Sequence, residues 1–142
     1  MQEKRIIGID YGRRRIGLSC SDRLRLTAQP LATIRVKSTG EIVGKICTVL
    51  ADYEVELLVI GRPGSLSGGG GQMADEVSRF AEQMKKRGYR VELVDERFSS
   101  REAQSVLRLA GKSEKQMRGK TDSIAAQLIL QTWLDRQGNQ VE

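Results

Sequence analysis

At Ser38 the hydrophobic rhythm of this chain changes, and that change restricts the fold more than any other feature. Before it lie three runs of strand character. Arg5 to Asp10 (RIIGID) is short, apolar and rich in isoleucine, as a buried strand requires. Ile16 to Cys20 is a second such run, and the intervening Tyr11 to Arg15 is short enough to form a hairpin. Leu26 to Val36 reads as a third, less regular strand bent at Pro30. From Ser38 onward strands alternate with helices. Ser38 and Glu41 have capping-box spacing, and Ile42, Ile46, Val49 and Leu50 follow at helical intervals. Leu57 to Ile60 is an apolar strand that stops at Gly61-Arg62-Pro63. The glycine-rich stretch Gly64 to Gly71 leads into a helix with Val77, Phe80, Ala81 and Met84 on one face, closed by Gly88. Val91 to Val94 is the next strand and ends in Asp95-Glu96-Arg97. Ser99 and Glu102 repeat the capping-box spacing before a helix with Ala103, Val106 and Leu107. A polar stretch from Gly111 to Gly119 then precedes a last helix with Ile124, Ala125, Leu128, Ile129 and Trp133.

The order β-β-β-α-β-α-β-α-α predicts an α/β fold. Its sheet is five-stranded and mixed, the first three strands form an antiparallel meander, and helices lie on both faces. With 142 residues, no internal repeat and no linker, one domain spanning 1–142 is expected.

Composition narrows the chemistry. The chain has no histidine, which excludes His-based zinc sites, Ser-His-Asp and Cys-His systems, and histidine general bases. Metal or acid–base chemistry must rest on Asp and Glu, whose oxygens suit hard cations such as Mg²⁺ or Mn²⁺. Lys and Arg number 24 against 18 acids, a net charge of +6 that favours a polyanionic partner. No apolar run is long enough to span a membrane, and the N-terminus has no apolar signal region. Cys20 and Cys47 sit in apolar runs without CxxC spacing, as buried free thiols in a reducing cytoplasm do.

Three carboxylates stand at element ends. Asp10 ends the first strand, Glu96 follows the last, and Asp122 lies in the first turn of the final helix. Singly, each has a structural explanation: turn amides for Asp10, Arg97 or Arg101 for Glu96, the helix dipole for Asp122. Together they fall at the carboxyl edge of a sheet, where sites form, and three converging carboxylates can hold two divalent cations about 3.5–4 Å apart. Asp95 is a neighbour able to exchange roles with Glu96, but alternation sets it on the face of Val91 and Leu93. Glu102 is explained by its capping box. Arg13, Arg14 and Arg15 beside Asp10, with Arg62, Arg97, Arg101 and Lys120, form a candidate positive rim for a nucleic-acid backbone. Aromatic residues are only 4% of the chain, which favours recognition by shape over base stacking. Gly111-Lys112-Ser113 and Gly119-Lys120-Thr121 mimic the end of a phosphate loop, but neither has the first glycine nor follows a strand. Gly64 to Gly71 reads as a strand-to-helix connection, with a flap near substrate as the weaker alternative.

Four motifs in this order resemble the YqgF family: Gly8-Ile9-Asp10-Tyr11-Gly12, Gly61-Arg62-Pro63, Asp95-Glu96-Arg97-Phe98-Ser99 and Lys120-Thr121-Asp122-Ser123-Ile124-Ala125-Ala126. That family is described as candidate Holliday junction resolvases and as nucleases maturing the precursor of small-subunit ribosomal RNA. The resemblance implies a ribonuclease H-like fold, a cytoplasmic location and phosphodiester hydrolysis dependent on Mg²⁺ or Mn²⁺. It carries an acidic metal-binding triad onto Asp10, Glu96 and Asp122. Arg62 stands where the family usually has leucine, and the loop after Pro63 lacks the family's common Asn or Asp.

The expected activity is therefore two-metal hydrolysis of structured RNA, with junction DNA as the alternative substrate and no membrane partner; monomer and homodimer both stay open. Two rivals remain. One is a non-catalytic nucleic-acid-binding module with the same basic rim. The other is an actin-like or sugar-kinase ATPase, which needs two such domains where this length supplies one.

Overall fold

The computed structural model describes residues 4–22, 24–63, 70–96 and 121–139. Along the chain they form β1 (Arg5–Asp10), β2 (Arg15–Ser21), β3 (Ala28–Arg35), a 3-10 turn (Thr39–Glu41), α1 (Ile42–Leu50), β4 (Val55–Pro63), α2 (Gly70–Lys86), β5 (Val91–Glu96) and α3 (Thr121–Asn139). The helix expected after Ser99, the polar stretch before Gly119, and Arg97, Arg101 and Lys120 lie outside the described residues. So do the side chains of Asp95, Glu96 and Asp122.

The strands build one mixed sheet in the order β3-β2-β1-β4-β5. β1 pairs antiparallel with β2 and β2 with β3, so the expected meander is present. β4 joins the other side of β1 in parallel, and β5 joins β4 in parallel. The carboxyl ends of β1, β4 and β5 therefore share one edge. The register slips between Leu18 and Ser19, where Ser19 faces Pro30. Proline has no N–H to donate, so the irregularity falls there.

Alternation along each strand divides the core into two layers. Ile7, Ile9, Ile16, Leu18, Leu58 and Ile60 pack on one face against Ile42, Ile46 and Leu50 of α1 and Val77, Phe80, Ala81 and Met84 of α2. Ile6, Val59 and Ala28 pack on the other face against Ile129, Leu130 and Leu134 of α3. Each fully buried leucine or isoleucine contributes about 1.5–3 kcal/mol.

Local chemistry sets the boundaries. Glu41 reaches back to accept from the Lys37 and Ser38 amides at 2.9 and 3.0 Å, which is the acidic half of the capping box. Gly88 takes a φ of +99°, and the Tyr89 amide donates to the Met84 carbonyl at 3.2 Å, closing α2 in a Schellman-type turn.

Five expectations change. β4 runs through Gly61-Arg62-Pro63 instead of stopping there, because Gly61, Arg62 and Pro63 pair with Val94, Asp95 and Glu96. β5 extends to Glu96 for the same reason. α2 begins at Gly70, within the glycine run. On α3 the stripe is rotated: Ala125, Ala126, Ile129, Leu130 and Leu134 are buried, while Ile124, Leu128 and Trp133 are half-buried. Cys20 is buried as expected, but Cys47 is only half-buried; both are free thiols.

The β2–β3 turn carries a pH prediction. The Asp22 carboxylate accepts from the Thr27 and Leu26 amides at 3.2 and 2.8 Å, and these bonds, Thr27 first, hold its pKa below the ordinary 3.8. A depressed carboxylate pKa adds stability above the unfolded value and loses it as pH falls through the folded value. Asp22→Ala should therefore lower the urea midpoint at pH 7, and its gap from wild type should close in acid. Parallel denaturation curves at both pH values check this.

Candidate active site

Asp10 is the last residue of β1, half-buried, and its strand is hydrogen-bonded on both sides. Asp10 itself pairs with Gly17 of β2, and Ile9 before it is held by both neighbours, which suits a group that must keep its position. Gly8 faces Ser19, and Asp10 faces Gly17, so this face of the hairpin presents small residues. They let α3 approach closely. A Cβ on Gly8 would lie 2.4 Å from Ser19 Oγ, 2.8 Å from the Ala126 carbonyl oxygen and 2.8 Å from Leu130 Cβ. Ser19 Oγ donates to that Ala126 oxygen at 2.8 Å within the buried layer.

This contact sets the direction of α3. Ala126 and Leu130 sit over Gly8, while Leu130 and Leu134 pack with Ile6 further back along β1. The helix thus runs antiparallel to β1 and starts at the carboxyl edge. Asp122 lies one turn before Ala126, at that end. Two glutamines fasten the helix to the edge strand: Gln131 Oε1 accepts from the Ala28 amide and Gln127 Nε2 donates to the Ala28 carbonyl, both at 2.9 Å.

Register places Glu96 on the same face. Ile9 faces Ile60, and Ile60 faces Leu93. The next row contains Asp10, Gly61 and Val94, and Glu96 lies two residues beyond Val94, on the face of Val94 and Val59. Gly61 has no side chain between the two acidic strands, which are roughly 9–10 Å apart at two strand spacings. Asp95 pairs with Arg62 on the opposite register face. The backbone thus brings Asp10, Glu96 and the start of α3 to one edge and one face. Among the described side chains no group of three His, Cys, Asp or Glu residues surrounds a metal position.

The basic candidates divide. Arg13 Nε donates to Glu76 Oε2 of α2 at 2.7 Å, with both side chains partly exposed. Such a pair contributes at most about 1 kcal/mol, so turning Arg13 to a phosphate costs little. Arg14 donates to the Lys37 carbonyl and ties the β1–β2 turn to the end of β3. Arg15 opens β2 and is exposed. Arg62 is exposed but falls on the register face of Ile60, across the sheet from Asp10.

Ser19, Gln127 and Gln131 were not singled out in the sequence. Polar residues within strand and helix runs give no local sign that they position a helix; only their partners reveal it. The Gly8-x-Asp10 spacing was legible, and its glycine is the close-approach point.

These features define a class: a ribonuclease H-like fold. Two solved structures share it with TM-scores of 0.61. They are the Fowlpox virus resolvase with Holliday junction DNA (10% identity, 94% of this chain and 98% of that one) and the T. thermophilus RuvC complex with its junction substrate (15% identity, 96% and 97%). At the sequence level, residues 4–136 match the model of RuvX: Holliday junction resolvase, and the chain belongs to that family. Relatives bearing the name "Putative pre-16S rRNA nuclease" include one from Synechococcus sp., 42% identical over 132 residues and covering 92% of this chain and 89% of its own length. Another, from Natranaerobius thermophilus, is 39% identical over 136 residues, with 95% and 96% covered.

Proposed function

We propose that this chain is a divalent-metal-dependent nuclease that hydrolyses phosphodiester bonds in structured RNA, processing the 16S ribosomal RNA precursor in the cytoplasm. The observation that carries the reading is the meeting of Asp10, Glu96 and the first turn of α3 at one edge and face of the sheet. The names of the relatives support the substrate.

The donor set fits Mg²⁺ or Mn²⁺: three carboxylates from three elements, in a chain without histidine. Bound there, a pair of such cations supplies Lewis-acid activation of water and neutralises charge at the scissile phosphate. The protein's own part is positioning. β1, held on both sides, orients Asp10; β5 carries Glu96; and the Gly8–Ala126 contact sets where α3 delivers Asp122. Arg13, Arg14 and Arg15, in the turn beyond Asp10, are the described residues that hold the substrate backbone beside the acids. Arg97, Arg101 and Lys120 extend that rim, while Arg62, on the opposite face, stands apart from it.

The test is cleavage of precursor RNA and of four-way junction DNA, side by side, with Mg²⁺ or Mn²⁺ and with chelator. Metal-dependent cleavage of the RNA is expected. Cleavage of the junction alone would transfer the activity to the resolvase reading that the family description carries. No cleavage of either, with binding intact, would favour a non-catalytic module. Binding should also weaken with salt, log K falling by about 0.7–0.9 per log unit for each phosphate neutralised. Titration at several salt concentrations reads the slope, which Arg13→Ala should reduce by about one such contact.

A further inference from the structure

A cleft of about 250 Å³ lies between the 3-10 turn and α1 on one side and α2 on the other. It opens at the same carboxyl edge as Asp10. Tyr11, the next residue after Asp10, forms part of its lining, and β3 delivers the 3-10 turn to that edge. Half-buried Tyr11 supplies the accessible apolar floor, backed by the buried Phe80 and Ile42, with the two rings 5.0 Å apart and tilted by 39°. Glu76, Arg79 and Gln83 supply a polar rim from successive turns of α2. Glu76 is held by Arg13, while Arg79 and Gln83 are exposed.

We propose that this cleft receives one unpaired nucleobase of the substrate, flanking the phosphate presented to the acids. The proposal rests on the nuclease reading and narrows its substrate to a strand with an extrudable or unpaired base. Size is the first support: the volume is below the roughly 300–1,000 Å³ of pockets that enclose drug-sized ligands, and suits a single planar ring system. Chemistry is the second. A base has an apolar face for the aromatic floor, and an edge of donors and acceptors for the Gln83 amide and the Arg79 guanidinium. Placement is the third. Asp10 lies on the α3 face of β1, and the next residue, Tyr11, packs against the α1–α2 core layer, so a strand crossing the sheet edge sets phosphate to one side and base to the other. The net charge of +6 favours that polyanion over a neutral ligand.

The test measures binding without added metal, so that it does not depend on cleavage. One RNA duplex carries a single unpaired adenosine; its partner carries an abasic residue at that position. Wild type is expected to bind the abasic RNA roughly tenfold more weakly, as loss of one stacked base implies. The double variant Arg79→Ala/Gln83→Ala keeps the floor but loses the base-edge contacts, so its preference should narrow; both sites are exposed helix positions where alanine preserves the helix. Equal affinity of wild type for both RNAs overturns the proposal, and so does an unchanged preference in the variant. Cleavage by wild type without base discrimination would sink the cleft alone. Discrimination without cleavage would sink the nuclease reading and leave the cleft.

Discussion

Asp10→Asn should abolish cleavage while leaving the folded protein and its grip on RNA intact. The substitution keeps side-chain shape and removes one negative charge at the end of a strand paired on both sides. Removing a group that only hydrogen-bonds to a metal ligand typically costs about 10–100-fold, and loss of a carboxylate ligand itself should exceed that. Glu96→Gln and Asp122→Asn are expected to act alike. Double variants should cost little beyond the singles, because residues that work as a unit are not additive. Asp95→Asn is the control. Asp95 pairs with Arg62 on the opposite register face, so its cleavage rate should stay near wild type. Rate measurements with Mg²⁺ and Mn²⁺, beside thermal denaturation, separate chemistry from unfolding. Full activity in Asp10→Asn, or loss confined to Asp95→Asn, would displace the assignment.

Gly8→Ala should have the largest effect on stability. The added Cβ would stand 2.4 Å from Ser19 Oγ and 2.8 Å from both the Ala126 oxygen and Leu130 Cβ. The first neighbour is a small side chain, but the second is helix backbone, and it yields only if α3 moves outward. Overpacking of this kind costs about 1–3 kcal/mol. For a chain of this length each kcal/mol lowers the melting temperature by roughly 2–8 °C. Because Asp122 lies in the first turn of α3, the same shift should also slow cleavage. Ser19→Ala in the Gly8→Ala background relieves the nearest contact but not the two from the helix, so recovery should be partial. Melting curves and cleavage rates of wild type and the two variants check this. An unchanged melting temperature in Gly8→Ala would show that the close approach does not hold α3.

The elements were mostly legible, and so were the acids at their ends. Hairpin length, capping pairs and Gly88 act over a few residues, and the sequence shows such signals directly. The end of β4 was not legible: Gly61-Arg62-Pro63 carries breaker residues, yet pairing with β5 keeps it extended. Nor was the buried stripe of α3, because the sheet selects it. Gly8 and Ser19 admit Ala126, and the helix turns to bring Leu130 and Leu134 inward.

The site divides in the same way. The sequence by itself determined that any metal chemistry here must use carboxylates, and that Asp10, Glu96 and Asp122 stand where strands end or a helix begins. Only the tertiary structure decided which partners share a face. Parallel pairing through β4 sets Asp10 and Glu96 on the same face, two residues apart in register, and sends Arg62 and Asp95 to the far side. It also made the Tyr11 cleft, which needs α1 and α2 docked on the same face. Spacing along a chain fixes which side of its own strand a residue takes. Which strand lies beside it is decided by burial of apolar surface across the whole sheet, and no short stretch of sequence contains that.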